Sequence, residues 1–132
     1  MVSKSLINPA KRRVLMPPFA WIDRRFLFNG FLAELSPQEN LLYFFLVLVA
    51  DRDGLSYYSY DKICQLLTLD VDDYIQARND LIAKDLIAFD GRLFQLLVLP
   101  ERRKLLENKK TAREPKDAQR LAEIFSRLSQ TL

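Results

Sequence analysis

The central part of the chain contains two short helical patterns that lie close together. Residues 60–67 place apolar side chains on one face and follow Ser59, and residues 71–85 do the same after Asp70. Serine and aspartate are favoured at helix N-caps, where the side-chain oxygen accepts a backbone N–H. The predicted inner faces consist of Ile63, Leu66 and Leu67 on the first helix and of Tyr74, Ile75, Ala77, Leu81 and Ile82 on the second.

A β-hairpin pattern follows these helices directly. The apolar runs 86–89 and 92–99 flank Asp90 and Gly91, a dipeptide that supplies the positive φ angles of a two-residue turn. The second run is apolar on both faces, so one side needs cover from an arm or a second subunit. The predicted order is therefore helix, turn, helix and hairpin.

Another helix is predicted before this region. Ser36 and Glu39 have the spacing of a capping box, and Pro37 suits the first helical position. The pattern continues to about residue 51 and is apolar nearly all round, which predicts a central buried helix. A short strand over 55–58 is expected to follow it.

The segment before this helix is rich in aromatic residues. A short helix is predicted over 23–29, closed by Gly30. The aromatic side chains lie in adjacent pairs and do not alternate with basic residues, as a base-stacking surface would need. We therefore expect them in the core or in a dimer interface.

These patterns divide the chain into four parts. Residues 1–18 are predicted to be a flexible basic N-terminal arm, 19–100 a folded domain, 101–115 a basic linker and 116–132 a C-terminal amphipathic helix. That last helix packs either on its own domain or, as we favour, on a second copy of the chain. Its apolar stripe consists of Leu121, Ile124, Phe125 and Leu128.

The charged residues are unevenly distributed. The net charge is +5 over residues 1–25, −7 over 26–90 and +5 over 91–132, for a total of +3. An acidic domain thus lies between two basic segments. The N-terminal cluster is either a solubilising tail or an arm that contacts nucleic-acid phosphates. The candidate arm contacts are Lys11, Arg12, Arg13, Arg102, Arg103 and Lys104.

Composition argues against several classes of function. The chain has no histidine, three glycines and a single cysteine, Cys64. A Cys/His zinc site, a histidine-dependent catalytic site and a glycine-rich phosphate loop are therefore excluded, and we predict neither enzymatic activity nor a cofactor. Cys64 is expected to pack as a small apolar residue. The longest apolar run, 41–50, is shorter than the roughly 20 residues of a membrane span, and a lone cysteine fits a reducing cytoplasm.

Residues 35–99 resemble a winged helix-turn-helix domain, and they are most similar to those of bacterial replication-initiator-like and mobile-element-associated DNA-binding proteins. The resemblance rests on the helix LSPQENLLYFFLVLVADRDG, the helix SYDKICQLLTLD and the stretch YIQARNDLIAKDLI with its Asp-Gly turn. It implies a mainly α fold with a small antiparallel β wing, bound to double-stranded DNA with the second helix in the major groove.

The resemblance also implies individual contacts. Gln76, Arg78 and Asn79 would read base edges. The implied phosphate contacts are Ser59, Tyr60, Lys62, Lys84 and Arg92.

The sequence departs from the family pattern in two ways. Five aspartates lie between Asp70 and Asp85 against two basic residues, a net charge of −3 where phosphates should approach. Asp85 also stands where the family commonly has glycine. Three aspartates at the helix start could suggest a cation site, but a calcium loop needs wider spacing and a glycine, so a solvated helix start is expected.

Two functions remain open from the sequence. The first is a DNA-binding protein in replication initiation, mobile-element function or transcription, with most of the affinity supplied by the basic arms. The alternative is a protein-interaction module in which the acidic helix and the apolar wing bind a partner or form a homodimer through the wing and the C-terminal helix.

Overall fold

The computed structural model describes residues 3–101. Within this range the chain forms an α+β domain with five α-helices and a three-stranded antiparallel sheet, as the patterns predict at this level. A 3₁₀ turn over Pro9–Lys11 precedes the domain. The elements are α1 (Arg25–Phe28), α2 (Phe31–Glu34), α3 (Pro37–Val49), β1 (Leu55–Tyr57), α4 (Tyr60–Leu67), α5 (Val71–Ala83), β2 (Ile87–Phe89) and β3 (Leu93–Leu96).

The aromatic segment forms two short helices, whereas the sequence predicts one over 23–29. Gly30 adopts a φ of +99° and serves as the N-cap of α2, so the chain bends there and starts again. Phe26 and Phe31 are buried, and the Phe26 ring stacks on Tyr43 of α3 at 4.6 Å between centroids. The aromatic side chains thus pack α1 and α2 against α3.

Helix α3 begins with the predicted capping box. The Ser36 hydroxyl accepts from the Glu39 backbone N–H at 3.2 Å, and the Glu39 carboxylate accepts from the Ser36 backbone N–H at 2.5 Å. The helix packs on α5, on β3 and on Phe26 of α1, and six of its thirteen residues are buried. The predicted central helix is therefore buried on the sides that meet these elements, whereas Leu41, Phe44 and Leu48 on its remaining side are exposed.

Helices α4 and α5 form where the sequence predicts them, but α5 ends at Ala83 and not at residue 85. Asp70 caps α5 by accepting from the Asp73 backbone N–H at 2.8 Å. Leu66 and Ile75, which the helical spacing places on inner faces, are exposed. The outer edge of each face has no packing partner in the described domain. The remaining inner residues pack in or against the core: Ile63, Leu67, Tyr74, Ala77, Leu81 and Ile82.

The sheet has the order β1-β3-β2, so β3 is the central strand. Phe94 of β3 lies opposite Ser56 on one side and Phe89 on the other. Because β1 pairs with β3, the hairpin has a neighbour that the sequence does not reveal. In the predicted second run of the hairpin, 92–99, the exposed large apolar side chains are Leu93 and Val98.

The hairpin turn lies one residue later than predicted. The Asp90 backbone N–H donates to the Leu93 carbonyl at 3.2 Å, which leaves Gly91 and Arg92 as the two turn residues. Only Gly91 has a positive φ, of +95°. The Asp90 carboxylate accepts from the backbone N–H groups of Arg92 and Leu93 at 2.9 and 2.6 Å, and this favours the shifted turn.

No helix within residues 3–101 has the length and apolar character needed to cross a membrane.

Candidate nucleic-acid interface

The outer face of α5 presents the residues expected to read bases. Gln76 and Asn79 are exposed and lie three residues apart, so they share a helix face. Asp72 and Asp73 are also exposed, in the first turn of the same helix. The face therefore offers amide donors and acceptors beside two carboxylates.

Arg78 occupies a different environment from its neighbours. Its guanidinium carbon lies 5.5 Å from the centre of the Tyr74 ring and 5.0 Å from that of Phe89. Its Nε and Nη2 atoms both donate to the Asn79 side-chain oxygen at 3.3 Å. Stacking on two rings fixes the direction of the side chain and links α5 to the hairpin.

Arg92 at the tip of the hairpin stacks in the same manner. Its guanidinium carbon lies 5.4 Å from the centre of the Tyr57 ring in β1. Both residues are exposed. The backbone N–H groups of Leu93 and Arg92 also lower the pKa of the Asp90 carboxyl, so a carboxylate remains beside this arginine at neutral pH.

The sequence did not identify the aromatic rings that support these arginines. Tyr74 precedes Arg78 by one helical turn, and that spacing is a local signal of the contact. Phe89 and Tyr57 come from strands, and their contacts depend on the sheet register. Only the first of the three could have been predicted from spacing.

The start of α4 exposes Ser59, Tyr60 and Lys62. Ser59 has the backbone conformation of an N-cap, but its side chain makes no capping bond, so the prediction of a side-chain cap is wrong. The hydroxyl instead bonds to the Asp61 carboxylate and lowers the pKa of that group. A negative charge thus accompanies the candidate phosphate contacts at this end.

Lys84 follows the last residue of α5, and its charge is already paired. Its Nζ donates to the Glu39 carboxylate at 2.5 Å. Burial alone would raise the pKa of Glu39, but hydrogen bonds from Lys84 and from Ser36, with the attraction of the ammonium, lower it overall. The pair joins the start of α3 to the end of α5.

The basic arms are only partly within the described residues. Lys11 ends the 3₁₀ turn, and Arg12 and Arg13 follow it, all exposed. Arg102, Arg103 and Lys104 lie outside the described residues, as do most of the predicted linker and the whole C-terminal helix.

The single cysteine of the chain lies in helix α4. Cys64 packs partly buried against the core, and burial together with the charges of Asp70 and Asp61 raises the pKa of its thiol. Among residues 3–101, no group of three or more histidine, cysteine, aspartate or glutamate side chains is arranged to hold a metal ion.

Comparison of the chain with protein-family models, with curated proteins and with solved structures found no match.

Proposed function

We propose that the chain is a non-enzymatic DNA-binding protein that combines a winged helix domain with basic arms. The main support is the arrangement of α4, α5 and the β2–β3 hairpin, with β1 paired to the hairpin. In winged helix proteins the second helix of such a pair enters the major groove and the hairpin flanks the backbone. Because one fold can serve many functions, binding to DNA depends on the residues that this domain exposes.

Exposed amides on α5 are suited to base recognition. Glutamine and asparagine bind adenine through two hydrogen bonds in the major groove, and Gln76 and Asn79 are both exposed. Arg78 and Arg92 are held against aromatic rings, which lowers the entropy lost when their guanidinium groups bind a phosphate or a base. We leave Lys84 out of this interface because Glu39 already pairs with it.

The charge distribution assigns most of the attraction to the arms. Residues 26–90 have a net charge of −7, and non-specific DNA affinity comes mainly from neutralised phosphates. One basic cluster precedes the domain in the sequence and consists of the exposed Lys11, Arg12 and Arg13. The other cluster, 102–104, follows the domain. In this proposal the domain contributes shape and a few base contacts, while double-stranded DNA is attracted by the arms.

A salt-dependent titration tests this proposal. Anisotropy of a labelled duplex is measured with the full chain and with two variants, Lys11→Ala/Arg12→Ala/Arg13→Ala and the corresponding triple alanine variant of 102–104. Each arm that contacts three phosphates should weaken binding and reduce the slope of log affinity against log salt by up to about three. Absence of binding at low salt would contradict the proposal.

A control separates arm contacts from a general loss of charge. Arg24 and Arg52 are exposed and lie outside both arms. The variant Arg24→Ala/Arg52→Ala lowers the net charge without removing an arm residue. Its effect per charge should be smaller than that of either arm variant, and an equal effect would argue against specific arm contacts.

A protein-interaction module is the second candidate, and one observation favours it. Val71 and Ile75 are exposed one turn apart on α5, and Asp72 and Asp73 lie between them. Apolar residues with acidic neighbours suit a protein partner better than a phosphate backbone. Under this alternative, duplex DNA fails to bind at low salt.

A further inference from the structure

Helix α3 presents an apolar stripe to solvent. Leu41, Phe44 and Leu48 recur at intervals of three and four residues, and Leu48 is 72% exposed. Trp21 and Ile22 extend this surface, and Trp21 is 75% exposed. We call these five residues the α3 patch.

Two grooves connect Trp21 and Ile22 to the stripe on α3 at Phe44. A groove of about 490 Å³ is lined by Trp21 and Ile22 together with Val47 of α3. A second groove, of about 450 Å³, is lined by Ile22 and Phe44. Because Ile22 borders both grooves, the apolar surface is continuous from Trp21 to Phe44.

We propose that residues 116–132 of the same chain pack on the α3 patch as an amphipathic helix. Leu121, Ile124, Phe125 and Leu128 repeat at intervals of three and four residues, the same spacing as the stripe on α3. Two such stripes can interdigitate along parallel or antiparallel helices. This packing within one chain does not require DNA.

The path of the chain favours this segment as the occupant. Leu99 lines the same groove as Trp21 and Val47, so the chain leaves the domain beside the α3 patch. The fifteen residues from 101 to 115 can span up to roughly 50 Å when extended. A domain of this size is about 30 Å across, so the segment can reach the patch without strain.

The size of the α3 patch favours one helix over a second subunit. At roughly 200 Å² for a large apolar side chain, its members expose on the order of 500 Å². A stable interface between two proteins buries about 800 Å² on each partner. One face of a short amphipathic helix can cover the roughly 500 Å² of the α3 patch. The surface that needs cover is therefore the α3 patch and not the β2–β3 hairpin.

Trp21 provides a direct test because it is the only tryptophan in the chain. Acrylamide quenching of its fluorescence is measured in the full chain and in Leu121→Glu/Phe125→Glu. Undocking should expose the indole ring and raise the quenching constant about twofold. The control Gln119→Glu/Ser126→Glu adds the same charge on the opposite face of the predicted helix and should leave quenching unchanged.

A second set of variants tests the α3 side. Leu48→Glu should raise the quenching of Trp21 to the same level, and adding Leu121→Glu/Phe125→Glu to it should cause no further rise. Leu66→Glu, at another exposed leucine, is the control. Equal quenching in the wild type and in Leu121→Glu/Phe125→Glu would overturn the proposal. A dimer by light scattering that dissociates in this variant would overturn it in favour of packing between two copies.

Discussion

Glu39 combines two structural roles in one buried carboxylate. It completes the capping box of α3 through the Ser36 backbone N–H, and it pairs with Lys84, which lies 45 residues later. Only 4% of the residue is exposed. A buried carboxylate is tolerated here because both oxygens have donors.

The pKa of Glu39 makes the domain sensitive to acid. Its folded-state pKa is lowered below the ordinary value of about 4.3, so the ionised form stabilises the fold. That stabilisation is fully present above the ordinary pKa and is lost as the pH falls through the lower, folded-state pKa. Acid therefore removes the charge from a group whose hydrogen bonds require it.

Glu39→Gln should lower the free energy of unfolding at pH 7 by about 1–3 kcal/mol, because a charged hydrogen bond is lost from a buried site. The difference from the wild type should begin to shrink once the pH falls below the ordinary glutamate pKa of about 4.3, and it should disappear as the pH falls through the lower, folded-state pKa of Glu39. Urea unfolding at several pH values measures both effects. The exposed Glu101→Gln is the control, and a difference that stays constant with pH would contradict this role.

At the scale of the elements, local sequence patterns predict a helix or a cap correctly where the residues that form it are close in sequence. The capping box of α3, the Asp70 cap of α5 and the bounds of α4 depend on residues close in sequence. The pairing of β1 with β3 and the contact between Lys84 and Glu39 join distant segments, so no local pattern indicates them.

The exposure of individual helix residues also depends on contacts between distant segments, so the sequence predicts it poorly. Helical spacing identifies which residues share a face, but a neighbouring element decides how wide the buried face is. Leu66, Ile75 and Leu48 lie where no neighbour packs in the described domain. The candidate site shows the same limit, since Gln76 and Asn79 could be assigned from spacing but the rings beneath Arg78 and Arg92 could not.

Gly54 connects the end of the α3 region to the sheet. Its φ is +82°, and its carbonyl accepts from the Leu96 backbone N–H at 2.9 Å. A Cβ added at this position would lie 3.1 Å from the Leu96 carbonyl oxygen. The chain therefore needs glycine here both for backbone conformation and for space.

Gly54→Ala should lower the free energy of unfolding by about 2–4 kcal/mol, since the strain of a positive φ adds to a backbone contact. Gly91 is a matched control, because its φ is +95° but an added Cβ meets nothing within 4 Å. Gly91→Ala should cost about 1–2 kcal/mol, the share due to φ alone. Equal losses in denaturant unfolding would show that the contact with Leu96 has no effect.

At the scale of the whole molecule, the acidic domain and its basic flanking segments would have opposite effects on the affinity for DNA. In the proposed complex the arms would attract phosphates, whereas Asp72 and Asp73 at the start of α5 would repel them. Both carboxylates also stabilise the positive end of the helix. The first turn of α5 is thus favourable for folding and unfavourable for an approach to the major groove.

This opposition gives a test of whether α5 approaches DNA. Asp72→Asn/Asp73→Asn should raise affinity for a duplex at low salt by roughly tenfold if phosphates come near this turn. It should also lower the free energy of unfolding by about 0.5–2 kcal/mol through the lost helix-end interactions. Titrations are therefore run well below the melting temperature, with the full chain.

The exposed Asp53→Asn is the control for this change, because it removes one negative charge away from α5. Its gain in affinity should be well below half of the gain in Asp72→Asn/Asp73→Asn on a logarithmic scale. If DNA contacts the arms alone, both variants gain equally per charge removed, since only the long-range field changes. That result would contradict the approach of α5 to the groove while leaving DNA binding by the arms intact.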